Sequence, residues 1–284
     1  MVLNTLLPVN CIMDTRTEAA QLATTGRKPG ATMGTLSLAA GGWVSNLIVY
    51  LIGEYNVKSI EAAKIFNIFN GFITIFPIIG AIIADSYLGC FSVIWISSLI
   101  SLLGMVLLVL TAGLEPLRPS KCGNGSYLCS DPSKIQLIIL YSGLVLSALG
   151  VGGTRFTLAT MGADQFDKPK HRGIFFNWYL VALYIPSVIS STAIVYVQDN
   201  VSWASGFGIC VAVNVLGLAI FLFGSRFYRY VRPQGSPLMG LVRVVVAAVN
   251  KRKVKLSMKG EDYYQQLHDG ASTVMAATPT QFFK

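Results

Sequence analysis

The stretch that decides the fold reads Gly150-Val-Gly-Gly-Thr-Arg155-Phe-Thr-Leu-Ala-Thr-Met-Gly-Ala-Asp-Gln-Phe-Asp167. It begins inside a long apolar block and ends in a charged loop. Arg155 is the one ionised residue that we place well inside an apolar span. An ionised side chain at that depth costs at least about 2.5–3.5 kcal/mol on insertion scales, so it usually has a function.

The composition of the chain indicates a membrane protein. Of its 284 residues, 53% are hydrophobic and 12% are charged, whereas soluble domains average about 25% charged residues. The apolar residues come in blocks of about 20, the length that an α-helix needs to cross roughly 30 Å of hydrocarbon. These blocks lack the period-2 alternation of a membrane β-barrel. The sequence therefore predicts an all-α, multi-pass integral membrane protein in contact with the lipid bilayer.

Six membrane spans are predicted, and together they form a bundle of residues 31–225. The spans cover residues 31–53, 65–84, 91–112, 135–160, 174–197 and 203–224. A cytoplasmic tail of residues 1–30 precedes the bundle, and a second one of residues 226–284 follows it. Within the second tail, residues 238–250 are amphipathic, which fits either a helix on the anionic inner leaflet or a solvated linker.

The distribution of basic residues predicts the orientation. The net charge is +9, and most Lys and Arg residues flank the spans, which favours cytoplasmic loops over nucleic-acid binding. Lys168, Lys170 and Arg172 lie between spans four and five, whereas the loop between spans five and six has neither Lys nor Arg. Both termini are therefore predicted to be cytoplasmic.

The loop between spans three and four supports this orientation. Asn124 begins a glycosylation sequon, and Cys122 and Cys129 flank it, so a glycan and a disulfide both suit a non-cytoplasmic loop. The alternative is a chance sequon beside two free thiols. The two His residues have no partners at zinc-ligand spacing, so neither a metal site nor a cofactor is expected. Nor does any arrangement of side chains suggest an enzyme.

Between spans two and three, the sequence resembles the loop signature of the major facilitator superfamily. The resemblance rests on Gly80, Asp85 and Gly89 in the run Gly80-Ala-Ile-Ile-Ala-Asp85-Ser-Tyr-Leu-Gly89. In that superfamily the Asp forms part of a gate, together with a helix terminus and a basic partner. Here Cys90 stands where the basic residue is expected, which implies a weaker gate.

The opening stretch resembles the signature of the proton-dependent oligopeptide and nitrate transporter family. The matching residues are Gly150-Val-Gly-Gly-Thr-Arg155-Phe156 and the hexapeptide Gly162-Ala-Asp164-Gln165-Phe166-Asp167, with further matches at Phe175-Phe-Asn-Trp178 and Val195-Tyr-Val-Gln-Asp199. The resemblance covers about residues 30–240. It implies the six-helix N-terminal half of a twelve-span major facilitator fold, with the substrate site between two halves. A second six-helix half, or a full-length relative, is then a partner.

Two departures from the family pattern suggest a subtype. The family usually has a Glu-x-x-Glu-Arg/Lys motif in the first span for proton coupling, but Met33, Leu36 and Ser37 occupy those positions. None of the three can take up a proton. Arg155 and Phe156 replace the usual Lys-Pro. Both features are similar to the nitrate excretion branch of the plant members, which implies an efflux-type transporter of nitrate or another small anion, in the plasma membrane rather than the vacuolar one.

Arg155 itself suits an anion. Its guanidinium does not deprotonate in proteins and offers five donors in a planar fork, which matches a planar oxyanion such as nitrate. Thr154, Asn177 and Tyr184 are predicted to share this substrate site. The alternative is that Arg155 lies about 30 Å along span four and snorkels to the headgroups. The family favours the site, because its equivalent Lys faces the central cavity.

A second hypothesis for the chain is a truncated, non-transporting membrane protein that at most interacts with full-length relatives. It is motivated by the end of the sequence at Lys284, with no further apolar block after span six. Chloride and organic anions remain alternatives to nitrate, because a lone Arg attracts all of them.

Overall fold

The computed structural model describes residues 31–119, 132–230, 233, 235 and 237–252. Nine α-helices and no strand occur in these residues. The helices are α1 (Ala31–Val44), α2 (Leu47–Tyr55), α3 (Ser59–Ile83), α4 (Gly89–Gly113), α5 (Lys134–Ala163), α6 (Pro169–Ile189), α7 (Val195–Asn200), α8 (Trp203–Phe223) and α9 (Pro237–Lys251). Two π-helical segments, Ala84–Leu88 and Ser190–Ile194, join α3 to α4 and α6 to α7.

Four helical runs in this part of the chain are long and apolar enough to cross a membrane. They are Ser59–Gly113, Lys134–Ala163, Pro169–Asn200 and Trp203–Phe223. A fifth forms if Ala31–Val44 and Leu47–Tyr55, which are bent by 41° at a short break, are taken as one span.

The run from α3 to α4 contains a reversal of the chain. Gly80 of α3 and Ser97 of α4 both pack against Gly153 of α5. An uninterrupted helix would place positions 80 and 97 about 25 Å apart, so the chain must turn between them. Gly89 has a φ of 76°, a conformation that glycine adopts without the steric cost that other residues incur. The run is therefore two spans, and the bundle contains six.

The helices extend beyond the apolar blocks that predicted them. Helix α2 reaches past Glu54, and α3 begins before Glu61 and Lys64, although the predicted spans excluded all three residues. Similarly, Lys170 and Arg172 lie in the first turns of α6 rather than in a loop. The expectation that five spans lack charged residues is thus wrong for the helices as the structure bounds them. These charges lie near helix ends, where water or a partner stabilises them.

Small residues bring α5 close to α3 and α4. A Cβ atom built on Gly80 would lie 2.9 Å from the Cα of Gly153, and Gly150 packs directly on Ser101. Gly152 packs against Phe76 in the same way. Membrane helices use glycine to let backbones approach, because packing rather than hydrophobicity drives their association. The glycines of the Gly-Val-Gly-Gly run thus serve close helix packing.

Helix α1 packs against α6, α7 and α8 through small residues and buried polar bonds. Gly41 faces Ser190, whose Oγ donates to the Leu38 carbonyl at 2.7 Å. The buried Gln198 Nε2 donates to the Gly42 carbonyl at 2.9 Å. These bonds fix the rotation of α1, and hence which of its residues face the interior of the bundle.

Residues 237–252 belong to a separate compact unit. Its described part is α9, which confirms a helix at the position of the predicted amphipathic segment. Leu241, Val242, Val245 and Val249 follow one another at spacings of one, three and four residues, and all four are exposed. The predicted placement of this helix on the inner leaflet stays a prediction.

Candidate functional site

A cavity of about 230 Å³ opens between α1, α3, α4, α5, α6 and α8. A cavity needs only about 10–15 Å³ of accessible volume to hold one water, so this one has room for a small solute and several waters. Half of the lining residues have polar side chains. These are Ser37, Asn70, Ser101, Thr154, Arg155, Tyr184, Ser187 and Asn214.

Arg155 brings a positive charge to this cavity. It is half-buried on α5, and its guanidinium has no hydrogen bond or ion pair within the described residues. Its backbone carbonyl accepts a 2.6 Å hydrogen bond from the Tyr179 hydroxyl of α6. Tyr179 is buried, so this bond holds the α5 backbone at Arg155 against α6. The backbone of Arg155 is thus held in place, while its guanidinium is available to bind a solute.

No carboxylate lines the described cavity wall. The buried carboxylate of Glu54, at the end of α2, forms an ion pair with Arg118 at 2.8 Å and is not part of that wall. A buried charge is stable only with a partner or solvent. Since the described wall supplies no negative group, the half-buried Arg155 is stabilised by water or by a charge from outside the described residues.

The predicted substrate-binding residues separate into two groups. Arg155, Thr154 and Tyr184 line the cavity together, whereas Asn177 lies on an exposed face of α6 and is not part of the wall. The Thr154 hydroxyl already donates to backbone carbonyls of its own helix, those of Gly150 and Val151, at 3.1 Å. Thr154 therefore shapes the wall more than it offers a donor. Tyr184 is 61% exposed.

The three residues that replace the family's coupling motif also lie in the wall. Met33, Leu36 and Ser37 of α1 line the cavity, as the alignment on the motif implies. The Ser37 Oγ is buried and has no hydrogen-bond partner in the described structure. The positions of the motif are thus at the cavity, and they carry one hydroxyl and no ionisable group.

Four polar residues of the described wall were not predicted: Asn70, Ser101, Ser187 and Asn214. Two of them, Ser101 and Asn214, are bonded to each other. The Asn214 Nδ2 donates to the Ser101 Oγ at 3.1 Å and lies 3.7 Å from the Met105 sulfur. A lone Asn in the middle of the apolar α8 is the signal that would have found it. Ser101 carries no such signal, because serine is common in membrane helices.

The predicted gating residues lie at the turn between α3 and α4. Gly80 belongs to the packed part of α3, Asp85 lies in the π-helical segment, and Gly89 makes the turn. The Asp85 backbone carbonyl accepts the Gly235 N–H at 3.0 Å, and Asp164 is close enough for the two carboxylates to repel each other. The half-buried thiol of the neighbouring Cys90 lies close enough to both carboxylates to feel their negative charge. A thiol carries no positive charge, so Cys90 does not offset the repulsion between them.

The signature hexapeptide forms a pinned loop after α5. Gly162 packs against the Phe175 ring, which also contacts Phe166, and the Gln165 Oε1 accepts the Arg229 backbone N–H at 3.0 Å. Asp167 pairs with the Arg229 guanidinium at 2.6 Å.

Asp164 is the C-cap residue of α5. Asp167 pairs with a residue distant in sequence, because Arg229 lies 62 residues away, after α8. The Arg172 Nε instead donates to the Phe166 carbonyl at 2.9 Å. The predicted glycosylation site at Asn124 and the predicted disulfide of Cys122 and Cys129 lie outside the described residues.

Comparison with known proteins agrees with this architecture. Residues 91–281 match the model of the POT family, which is about two thirds of the chain. The chain belongs to the POT family. It is 51% identical over 253 residues to Protein NRT1/PTR FAMILY 2.6 of Arabidopsis thaliana, covering 89% of this chain and 44% of the relative. It is 50% identical over 254 residues to Protein NRT1/PTR FAMILY 2.3 of the same plant, covering 89% and 46%.

Among solved structures, the fold is similar to that of the POT family transporter PepTSo. The TM-score is 0.67 at 21% identity, and the match covers 84% of this chain and 44% of that one. An auto-inhibited POT family peptide transporter gives a TM-score of 0.66, with 83% and 43% covered. The chain thus spans about half the length of the relatives it matches. The predicted family and the predicted fold class, six helices forming the N-terminal half of a major facilitator fold, are confirmed.

Proposed function

We propose that this POT family chain supplies one half of a transmembrane pathway for nitrate or another small anion, and that it serves efflux. The observation that carries this proposal is the Arg155 guanidinium, which has no protein partner in the described structure and lines a cavity with no described carboxylate. An anion is the chemical species that neutralises such a site.

The energetics favour an anion over a neutral solute. At 4 Å, two opposite unit charges attract by about 4 kcal/mol when the effective dielectric constant is 20, as near a protein surface. A planar oxyanion adds hydrogen bonds to the guanidinium fork, which strengthens and orients the contact. A neutral peptide bond would gain neither the charge attraction nor the paired geometry.

Proton coupling through the first span is not part of this proposal. Met33, Leu36 and Ser37 line the cavity at the positions of the family's coupling motif, and none of their side chains titrates. The anion itself would then move without a proton taken up at α1. Transport driven by the anion gradient and the membrane potential is the expected mode.

A second six-helix bundle is the partner that completes the pathway. In the most apolar 18-residue stretch of Pro169–Asn200, only 11% is buried. Two aromatic side chains of this run are exposed, those of Trp178 and the cavity-lining Tyr184. In this superfamily the substrate site lies between two such bundles, which rock against each other. We infer that a second half, in the same protein or in a full-length relative, covers this face, while lipid covers the rest.

Nitrate efflux from oocytes or from proteoliposomes tests the proposal. Arg155→Ala and Arg155→Lys are made in this chain and at the matching position of a full-length relative, with Arg243→Ala, on α9, as the matched control. We expect Arg155→Ala to lower efflux at least about tenfold, since a charge-assisted contact of about 1.5–3 kcal/mol is lost. Arg155→Lys should keep part of the flux, because it keeps the charge without the fork.

Unchanged efflux in Arg155→Ala would refute the anion site. Co-expression with a full-length relative tests the second hypothesis: a chain that gives no flux itself, yet lowers the flux of its relative, is an interacting protein and not a transporter. Targeting to the plasma membrane is part of the proposal, and a fluorescent fusion found only in the vacuolar membrane would contradict it.

A further inference from the structure

Asn214 is a buried amide at the centre of an apolar membrane helix. It is the twelfth residue of the 21-residue α8, and its side chain is 1% exposed. Burying an amide without hydrogen bonds is costly, so such groups are normally satisfied. Its Nδ2 donates to the Ser101 Oγ and to the Met105 sulfur, but its Oδ1 has no partner within the described structure. The acceptor side of the amide is therefore unsatisfied.

The pair of Asn214 and Ser101 shares a cavity with Arg155. Ser101 packs on Gly150 of α5, and Arg155 follows Gly150 by five residues, a rise of about 7.5 Å. Arg155 is rotated about 140° around α5 from Gly150, so it is their shared place in the cavity wall, and not one helix face, that brings the guanidinium and the pair together. The pair and the guanidinium are thus two polar groups at neighbouring levels of one cavity.

The pair keeps an unused hydrogen-bond donor in either orientation of the amide. As described, the Asn214 Nδ2 donates to the Ser101 Oγ, so the serine hydroxyl proton is free to point elsewhere. If the amide is turned over, the serine donates to the Oδ1, and both N–H bonds of the amide are free. The second arrangement also satisfies the orphaned oxygen. A bound anion would favour this second arrangement, because an anion only accepts hydrogen bonds and the turned amide offers it free N–H groups.

We propose that Asn214, held by Ser101, is a specificity-determining residue that binds a second oxygen of an oxyanion whose first oxygens lie on Arg155. The inference rests on the proposed anion site. A polyatomic oxyanion has several acceptor atoms and can reach two separate donors at about 2.9 Å each. A halide is one spherical acceptor and satisfies one of them. The pair therefore favours oxyanions such as nitrate over chloride, a choice that Arg155 alone does not make.

The competing explanation is that Asn214 and Ser101 only join α8 to α4. Polar side chains do join membrane helices in this way, by about 0.6 kcal/mol on average. If the pair is purely structural, removing it lowers the stability of the bundle. Any accompanying loss of anion affinity would then be the same for every anion. The ratio of the two affinities is thus the observable that separates the two roles.

Anion binding to the purified 284-residue chain in nanodiscs tests the proposal. Sodium nitrate and sodium chloride are titrated separately, with sodium gluconate keeping the ionic strength constant. The variants are Asn214→Leu, Ser101→Ala and Arg155→Ala, and Ser147→Ala is the matched control. Ser147 is a buried serine on α5 whose Oγ also lacks a described partner, but it lies outside the cavity wall.

We expect Asn214→Leu to weaken nitrate binding about tenfold and chloride binding less than about twofold, so that the preference for nitrate falls. Ser101→Ala should lower that preference by a few fold and Ser147→Ala should not change it. If Asn214→Leu does not fold, Ser101→Ala decides the matter. An unchanged preference in the folded variants overturns the role of the pair. Arg155→Ala should weaken both anions, and if it weakens neither, the anion site itself fails.

Discussion

Replacing Gly104 with alanine should separate α4 from α5. The Cβ atom of alanine at this position would lie 2.5 Å from the Ser147 backbone nitrogen, 2.6 Å from the Ser147 Oγ and 2.7 Å from the Gly143 carbonyl oxygen. Ordinary contacts of this kind lie at 3.4–4 Å. Two of the three atoms belong to the backbone and cannot rotate away, so the helices must part by close to 1 Å.

The cost of this separation is at the upper end of the range for overpacked sites. Inserting an extra methyl group into a packed interface typically costs about 1–3 kcal/mol. In addition, a gap of 0.5–1 Å between the helices removes about a quarter to a half of the dispersion energy of each atomic contact along the interface. We expect Gly104→Ala to destabilise the bundle by about 2–3 kcal/mol. The free energy of unfolding is measured in bicelles by titration with a denaturing detergent.

Gly208→Ala on α8 is the matched control, because a Cβ atom there would meet no atom within 4 Å. It should be neutral, or stabilising by up to about 1 kcal/mol, since alanine is the better helix former. If Gly104→Ala proves as stable as Gly208→Ala, the close approach of α4 and α5 is refuted. The rotation of α5, which turns Arg155 to the cavity, would then lose its support.

Two further predictions concern polar contacts. Glu54→Gln breaks an ion pair in which the side chains of Glu54 and Arg118 are 7% and 21% exposed, and it should lower the free energy of unfolding by about 1–3 kcal/mol, measured by thermal unfolding. The double variant Glu54→Gln/Arg118→Gln should lose less than the two single variants lose together. If the two losses simply add, the coupling between the side chains is contradicted. Tyr179→Phe removes the bond to the Arg155 carbonyl and should cost about 1 kcal/mol and weaken nitrate binding a few fold. Tyr196→Phe, at an exposed position, is its control, and equal nitrate affinities of the two variants would argue against this role of Tyr179.

The fold was largely predictable because each membrane span is decided locally. The free energy of inserting about 20 apolar residues is a sum over that segment, so the blocks can be found without knowing their neighbours. The ends of the helices were less predictable. Glu54 stays helical beyond the apolar window because Arg118, 64 residues away, neutralises it, and no local pattern announces such a partner.

The candidate site was predictable only where a residue stands out on its own. Arg155 is conspicuous because a charge in a span is rare, and the structure places it in the cavity wall. Asn177 was included for its polarity, but it lies two turns before Tyr184 on α6 and is not part of the cavity wall. Asn214 was missed although a lone Asn in an apolar span is itself a signal; its pairing with Ser101, 113 residues earlier in the chain, follows only from the tertiary structure.

The sequence by itself determined that this is an all-α membrane protein of the POT family, that its first span has no titrating group at the coupling positions, and that Arg155 is its one charge deep in a span. The tertiary structure decided which side chains share a cavity. The physical reason is that insertion depends on the composition of one segment, whereas the rotation of each helix depends on packing against others. Gly150 on Ser101, and Gly80 on Gly153, set that rotation through contacts between distant segments.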